Sequence, residues 1–521
     1  MTTMKKNLLQ GIMAGGFGFV IKTIAMLLLT PKLVGLMGVD LYGAYLLFLT
    51  FAEFSLLMAS GLTTGLIQTL SQNLAGNDVN SRVELLVTSR WLYCIISILM
   101  VICGWIFMPQ ILDAVIHSDK ISRSLLLETA HWVLLAASLG IISQFITAIL
   151  RAHCLHKIIN TVEALQGVAE AVLAVILLSM HYNLDVIFKI RLCLASISLS
   201  ILMFSALKAE PYFKKSLTQW QCRISEIREL FVISMYAMVL KISVFIAHRI
   251  DEVVISAFLV LADVTAYGLV MRMLGQIAAL MVKLLDGIFP VFSRLGSQKG
   301  HEGNRYLFLR STALMHYLVT ILLICVMGGF PEFLNYLGDG KIPFAMVQTT
   351  AIIACFLIWT GSVQIPASNF LFTNGMHKLS TLSTVITSSC NLALSIILIK
   401  VLGLPGVILG TLIPHGLQNH LVTIRISLQK MKIPFGEYLY QVYGRCMIPL
   451  LVPAAMIIAL RYLAPIQADG FISFAILIPG LFISGLTSVI LWLFISVDKQ
   501  EKDLLLGLFE KLPVIRKLLP Q

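Results

Sequence analysis

Apolar runs long enough to cross a lipid bilayer follow one another along almost the whole chain, from residue 11 to residue 495. A helix needs about 20 apolar residues to span the hydrocarbon core. Of the 521 residues, 58% are apolar and 12% are charged, whereas a soluble domain is about 25% charged. Strands with open edges leave backbone groups unsatisfied in lipid. The sequence therefore predicts an all-α polytopic membrane protein.

The apolar runs divide into about fourteen transmembrane helices. We predict spans at residues 11–36, 41–69, 83–108, 126–150, 158–180, 186–207, 229–261, 264–292, 309–332, 345–372, 379–401, 405–428, 443–463 and 471–495. If the N-terminus is cytoplasmic, the inside loops carry roughly three to four times as many Lys and Arg residues as the outside loops. Both termini are therefore expected to be cytoplasmic. The excess of basic residues, which gives a net charge of +12, is explained by this rule, and we expect no nucleic-acid partner.

An internal repeat divides the spans into two sets of six. His156-Lys157 opens the fifth span and His377-Lys378 opens the eleventh; Tyr42-Gly43 and Tyr267-Gly268 open the second and eighth at nearly the same separation. Two such lobes are typical of alternating-access transporters. We predict an N-terminal six-helix lobe at 1–207, a basic cytoplasmic linker at 208–228, a C-terminal six-helix lobe at 229–430, two additional transmembrane helices at 431–495 and a cytoplasmic amphipathic tail at 496–521.

Charged residues inside the spans are the candidate functional residues, because an ionisable group at this depth costs at least about 2.5–3.5 kcal/mol unless it faces a cavity or a partner. Lys22 and Arg272 lie mid-span with no acidic residue one helical turn away. We predict that these two, with Lys241 and Arg249, line a cavity that binds an anionic, phosphate-bearing cargo. The acidic candidates, which would bind a coupling ion or act as counter-ions, are Glu53, Glu163, Glu170 and Asp251.

Several of the charged residues within the spans also have a purely structural explanation. Arg249, Asp251 and Glu252 can neutralise one another, Lys283 and Asp286 can form a pair one turn apart, and Lys189 and Arg191 can extend toward the membrane surface. No metal-ligand spacing and no catalytic constellation is present in the sequence. We therefore expect a protein that is not an enzyme, with no cofactor other than Na⁺ or H⁺ as a coupling ion.

Several sequence segments resemble the Wzx-type flippases, exporters of lipid-linked oligosaccharides in polysaccharide biosynthesis that belong to the multidrug/oligosaccharidyl-lipid/polysaccharide (MOP) exporter superfamily. The resemblance covers nearly all of residues 10–430. The segments that carry it are Gly38–Tyr45, Arg249–Ser256 with Val264–Gly268 and Arg272, Ile288–Leu295, Asn374–Lys378, Asn391–Ser395 and Leu402–Thr411.

The resemblance implies two lobes that form a V around a cationic cavity, which takes the diphosphate headgroup of a polyprenyl-linked sugar. Lys22, Lys241 and Arg272 match the places of the family's cavity cations. It also implies undecaprenyl-diphosphate-linked oligosaccharide, such as an O-antigen or exopolysaccharide unit, as the cargo. The location would be the bacterial inner membrane, and the partners would be the lipid bilayer and polysaccharide polymerase or assembly proteins.

Three other functions stay open at this point. A multidrug or cation antiporter of the same fold would need acidic residues to dominate its cavity. A lipid II flippase would differ only in cargo, and residues 443–495 could supply the two extra C-terminal spans of that branch. A membrane glycosyltransferase, polymerase or ligase usually needs a large extramembrane loop with catalytic groups, which this chain lacks.

Overall fold

A computed structural model of the chain describes residues 2–76, 79–118, 120–219, 224–285, 289–374, 376–463 and 470–495. The described residues are helical, with no strand among them, so the all-α expectation is confirmed. Eight of the described helices are long and apolar enough to cross a membrane, and Phe435–Gly444 taken together with Pro449–Ala459 would make a ninth. The protein is thus a multi-pass membrane protein, while the count of fourteen spans stays a prediction.

The α-helices, in chain order, are α1 (Thr2–Gly76), α2 (Val79–Val115), α3 (Arg123–Ala152), α4 (His156–Ser179), α5 (Asp185–Ala209), α6 (Pro211–Thr218), α7 (Ile224–His248), α8 (Ile250–Phe258), α9 (Leu261–Leu285), α10 (Phe289–Gly328), α11 (Phe330–Leu337), α12 (Phe344–Gly361), α13 (Gln364–Thr373), α14 (His377–Leu402), α15 (Leu404–Leu417), α16 (Arg425–Met431), α17 (Phe435–Leu439), α18 (Arg445–Leu463) and α19 (Gly470–Ile495). Two π-helical segments, Gln418–Ile424 and Tyr440–Gly444, follow α15 and α17.

Breaks inside long helices distinguish the structure from the predicted spans. A straight helix as long as α1 would measure about 110 Å, far more than the bilayer is thick, but Gly38 has φ +74° and interrupts it between the first two predicted spans. This backbone conformation is open to glycine without strain. The seventh predicted span consists of α7 and α8, separated at Arg249, and the tenth consists of α12 and α13.

The chain forms two compact units. Unit 1 contains residues Met1–Arg272, Leu337–Ile353 and Thr381–His415, and unit 2 contains Met273–Tyr336, Ala354–Ser380 and Gly416–Gln521. The core of unit 2 includes the buried rings of Phe308, Phe370 and Tyr438. The predicted division at 1–207, 229–430 and 431–495 stays a prediction. The predicted linker 208–228 contains α6, and the predicted tail 496–521 lies outside the described residues.

In unit 1 the two Tyr-Gly repeats pack against each other's helices. A Cβ atom on Gly43 would lie 2.1 Å from the carbonyl oxygen of Leu261, at the start of α9, and a Cβ on Gly268 would lie 2.3 Å from Leu46 of α1. Both glycines therefore allow α1 and α9 to approach closely. This reciprocal contact between the repeat copies brings the charged residues of the two helices to the same region.

Candidate functional site

Four charged side chains from three helices of unit 1 come together, and we call Glu53, Arg249, Glu252 and Arg272 the charged cluster. Arg249 lies at the break between α7 and α8, and its Nε is 2.9 Å from Oε2 of Glu53 on α1. Glu252, on the first turn of α8, is buried and accepts a hydrogen bond from Thr50. The Arg272 guanidinium of α9 interacts electrostatically with both Glu252 and Glu53. The arrangement holds two cations and two carboxylates in the middle of predicted spans.

A second charged group lies among α1, α4 and α5. Lys22 extends along Gly167, with its Nζ 3.9 Å from the place that a Cβ on Gly167 would occupy. Glu170, one turn further along α4, has both Lys22 and Arg191 as cationic neighbours, and Arg191 Nε lies 3.6 Å from its Oε1. Glu163, on the same helix, is exposed. Two cations thus share one carboxylate here.

Tyr45 of α1 connects the two charged groups. Its phenol interacts electrostatically with Glu170 and Arg191 on one side and with Arg272 on the other. Arg272 in turn interacts with the phenols of Tyr42 and Tyr45. The predicted residues Lys22, Arg249 and Arg272, with Glu53 and Glu170, therefore belong to one continuous polar region of unit 1.

Lys241 is held differently from the other cations. Its Nζ donates a hydrogen bond of 2.6 Å to the backbone carbonyl oxygen of Ser60, and the side chain is half-buried. Within the described part of the chain, no carboxylate forms an ion pair with it. A carbonyl dipole is a weaker partner for an ammonium group than a full negative charge. Lys241 therefore brings an uncompensated positive charge into unit 1.

A buried network surrounds Asp251, which is 2% exposed. Its Oδ2 accepts a hydrogen bond of 2.5 Å from the Tyr267 hydroxyl, and the Thr411 hydroxyl lies 3.2 Å away. Thr411 is also 3.2 Å from Oδ1 of Asn391, to which Ser395 donates a hydrogen bond of 3.1 Å. The other carboxylate oxygen, Oδ1, is buried and has no hydrogen-bond partner among the residues that the structure describes. We call these five residues the Asp251 network; they bring oxygen atoms from α8, α9, α14 and α15 together.

Three structural alternatives have different outcomes. Of the mutual neutralisation expected for Arg249, Asp251 and Glu252, the described residues show one part: Arg249 pairs with Glu53 and interacts electrostatically with Glu252. Asp251 and Glu252 also accept hydrogen bonds from hydroxyl groups. Of the two residues expected to extend toward the membrane surface, Arg191 lies beside Glu170, and Lys189 pairs with Asp185 and Glu128. The extension itself stays a prediction. The predicted pair between Lys283 and Asp286 is not tested, because Asp286 lies outside the described residues.

The sequence analysis missed the neutral members of the Asp251 network. Tyr267, Asn391, Ser395 and Thr411 carry no charge, so a search for ionisable residues in apolar runs passes over them. All four lie in the segments that carry the family resemblance, at Val264–Gly268, Asn391–Ser395 and Leu402–Thr411. Counting the hydroxyl and amide side chains in these three segments would have identified the four residues as candidates.

The comparisons with known proteins agree with the helical geometry. Residues 16–175 match the MatE family. A multidrug resistance MATE family transporter of the MOP superfamily, in its inward-facing conformation, superimposes with a TM-score of 0.67 at 14% identity, over 79% of this chain and 95% of that one. The chain has the fold of MOP superfamily transporters.

Two further MOP-fold structures differ in the share of the chain that they cover. The lipid II flippase MurJ, in an inward closed conformation, gives a TM-score of 0.64 at 13% identity and covers 93% of this chain and 99% of its own. The other is a MOP superfamily transporter from Pyrococcus furiosus, described as having a binding pocket of reversed polarity. Its TM-score is 0.55 at 13% identity, and the match covers 82% of this chain and 96% of that one. No curated protein matches the chain in sequence.

Proposed function

We propose that the protein is a flippase of the bacterial inner membrane that moves an undecaprenyl-diphosphate-linked oligosaccharide from the cytoplasmic to the periplasmic leaflet by alternating access. The MOP fold supports a transporter. Lys22, Lys241, Arg249 and Arg272 would hold the diphosphate, and a polysaccharide polymerase or assembly protein would take up the product. O-antigen or exopolysaccharide units are the proposed glycans.

The observation that carries this proposal is the uncompensated charge of Lys241. Among the described residues, the partner of its ammonium group is the Ser60 carbonyl oxygen, and a charge so weakly compensated in a membrane span carries a large energetic cost. A cargo diphosphate would reduce that cost by supplying the missing negative charge. A cationic drug would increase it, which favours an anionic cargo.

The carboxylates of the charged cluster fit the same mechanism as exchangeable counter-ions. Glu53 neutralises Arg249, and Glu252 interacts electrostatically with Arg272. Leaving either arginine alone at this depth would cost several kcal/mol. The diphosphate would replace Glu53 at Arg249, because planar guanidinium groups bind phosphate oxygens in a bidentate manner.

The Asp251 network is the proposed coupling site, with Na⁺ or H⁺ as the ion. Hard cations prefer carboxylate, carbonyl and hydroxyl oxygens, and transporters of several folds bind coupling ions where helices are interrupted. Oδ1 of Asp251, which has no hydrogen-bond partner in the described part of the chain, is such an oxygen, and Asp251 lies in the first helical turn after the break at Arg249. Glu163 and Glu170 are alternative coupling residues.

Two other cargoes compete with the proposed one. The resemblance to MurJ supports a lipid II flippase, which would use the same cations for the same diphosphate. A multidrug or cation antiporter is supported by the MATE structures and by the four carboxylates Glu53, Glu170, Asp251 and Glu252 in unit 1.

The proposal is tested with charge-neutral variants in a strain whose surface polysaccharide depends on this protein. We expect Lys241→Gln, and the double variant Lys22→Gln with Arg272→Gln, to lower surface polysaccharide about tenfold or more, the effect of losing one charged hydrogen bond. Lipid-linked precursor should accumulate in the inner leaflet. Lys241→Arg should retain most activity, and Lys400→Gln, an exposed residue at the end of α14, is the control.

The alternatives give different outcomes in the same strains. Unchanged surface polysaccharide in the double variant would refute the cation assignment. Loss of drug resistance without a glycan defect would favour the antiporter. A defect in peptidoglycan with normal surface polysaccharide would favour lipid II as the cargo.

A further inference from the structure

An apolar cavity of about 340 Å³ opens in unit 1 among α1, α2, α3, α7 and α8. Its volume lies within the range of about 300–1,000 Å³ that is typical of small-molecule sites. It extends inward to the buried Met100 and Met108 and outward to the exposed Met58 and Phe107. The cavity is therefore open to the surface of unit 1 at Met58 and Phe107.

The two hydroxyl groups in the lining of this cavity already donate their hydrogens to acceptors within the protein. Apart from Cys103, the polar side chains of the lining are Thr50 and Ser55. The Thr50 hydroxyl donates to Glu252, and the Ser55 hydroxyl donates to the carbonyl oxygen of Phe51 at 2.9 Å. Methionine side chains adapt to irregular apolar shapes. The mostly apolar lining therefore suits a hydrocarbon chain better than a sugar.

The charged cluster lies at the margin of the cavity. Arg249 immediately precedes Ile250, and Glu53 immediately precedes Phe54; both Ile250 and Phe54 line the cavity. Arg249 and Glu53 lie in the middle of predicted spans, whereas the headgroup of an ordinary phospholipid lies at the bilayer surface. A lipid whose headgroup contacts the charged cluster would therefore have the first part of its chain beside this cavity.

We propose that this cavity binds the first isoprene units of the cargo's polyprenyl chain while the diphosphate contacts Arg249. The inference rests on the proposed function, since it assumes a lipid diphosphate as cargo. It adds a determinant of specificity, because the protein would recognise the lipid portion of the cargo. Recognition of the sugar would then not be required for specificity.

Cys103 provides a test in the unmodified full-length protein, because it lines the cavity and its thiol is free. In detergent solution, undecaprenyl diphosphate at ten times its Kd should slow N-ethylmaleimide labelling of Cys103 about tenfold. Cys193 of α5 is also exposed but does not line the cavity, and its labelling rate should not change. Inorganic pyrophosphate, which has no chain, should protect neither cysteine.

A cavity-filling variant provides the second test. Met58→Trp should lower the affinity for undecaprenyl diphosphate about tenfold, since the indole displaces a few methylene groups of the chain. Its affinity for pyrophosphate should equal that of the unmodified protein, which also verifies folding. The matched control is Ile201→Trp on α5, because Ile201 is 48% exposed and Met58 is 47% exposed.

Each remaining outcome has a defined meaning. Equal protection of Cys103 by phosphatidylglycerol would show that the cavity holds bulk lipid, and the inference would be overturned. Binding of undecaprenyl diphosphate without protection of Cys103, or unaffected by Met58→Trp, would overturn the inference and leave the proposed function intact. If neither undecaprenyl diphosphate nor pyrophosphate binds, the proposed function fails as well.

Discussion

Asp251 is a buried carboxyl group with one hydrogen-bonded oxygen and one oxygen that has no hydrogen-bond partner within the described ranges. Asn at this position can still accept the Tyr267 hydrogen bond, but it carries no charge to bind Na⁺ or a proton. We expect Asp251→Asn to bind cargo normally and to lose ion-driven transport. In proteoliposomes, a coupled monovalent ion at 100 mV contributes about 2.3 kcal/mol, so the driven accumulation ratio should fall about fiftyfold.

The control for this variant is Asp113→Asn, which removes an exposed carboxylate paired with Arg123. Transport by Asp251→Asn that still depends on the Na⁺ gradient or on pH would exclude Asp251 as the coupling residue. Glu163→Gln and Glu170→Gln would then be the next variants to measure.

Glu210, between α5 and α6, connects three segments outside the spans. Burial raises the pKa of its carboxyl group, but the hydrogen bonds from His153 and the Tyr212 amide, with the charge of Arg82, outweigh burial and leave the pKa below its ordinary value. A lowered pKa in the folded state stabilises the protein above the unfolded pKa, and this stability is lost as the pH falls through the folded value.

We therefore expect the thermal unfolding temperature to decrease as the pH is lowered from 7 to below about 4.5, near the ordinary pKa of glutamic acid. Glu210→Gln should be less stable at pH 7 and should lose part of this pH dependence, as measured by thermal unfolding in detergent. Glu163→Gln, at an exposed position, should keep the original profile. A Glu210→Gln profile parallel to that of the unmodified protein would contradict the assignment.

The charged candidates could be predicted from the sequence because a charged residue differs from the apolar residues on either side of it. Their ion-pair partners could not be predicted in this way. Glu53 and Arg249 lie far apart in the chain, and which carboxylate meets Arg249 depends on how α8 is rotated against α1. The uncharged Asn391 and Thr411 became candidates only when packing placed them beside Asp251.

At the scale of helices, the positions of the helices along the chain were easier to predict than the breaks within them. The described residues of the predicted spans are largely helical, because the apolar runs are long and charged residues mark their ends. The break at Gly38 and the break after Gly361 coincide with glycine. The break at Arg249 has neither glycine nor proline beside it, so tertiary contacts such as the pairing with Glu53 determine it.

Gly43 tests the close contact between α1 and α9. An added methyl group would lie 2.1 Å from the Leu261 carbonyl oxygen, so the helices must separate; overpacking of this kind costs about 1–3 kcal/mol. We expect Gly43→Ala to lower the thermal unfolding temperature and transport together. Gly16→Ala, with no atom within 4 Å of its new Cβ, should be neutral or slightly stabilising because alanine favours helix. Equal stability of the two variants would contradict the packing.

At the scale of the whole molecule, contacts group the loops by their predicted side of the membrane. Lys341 donates to the carbonyl oxygen of Gly35, and Lys120 pairs with Asp40; all four residues lie at ends or loops predicted to be outside. Residues Arg82, His153 and Glu210, from three segments predicted to be inside, also meet. A single miscounted span would have mixed the two groups in unit 1.

The orientation itself is the last prediction. An even number of spans with the basic loops inside places both termini in the cytoplasm. A green fluorescent protein fused after Gln521 should therefore fluoresce, whereas alkaline phosphatase fused at the same place should be inactive. Alkaline phosphatase fused after Gly340, in a predicted outside loop, should be active and serves as the control. Termini on opposite sides would require an odd number of spans, and an inactive Gly340 fusion would invert the topology and the direction of the proposed transport.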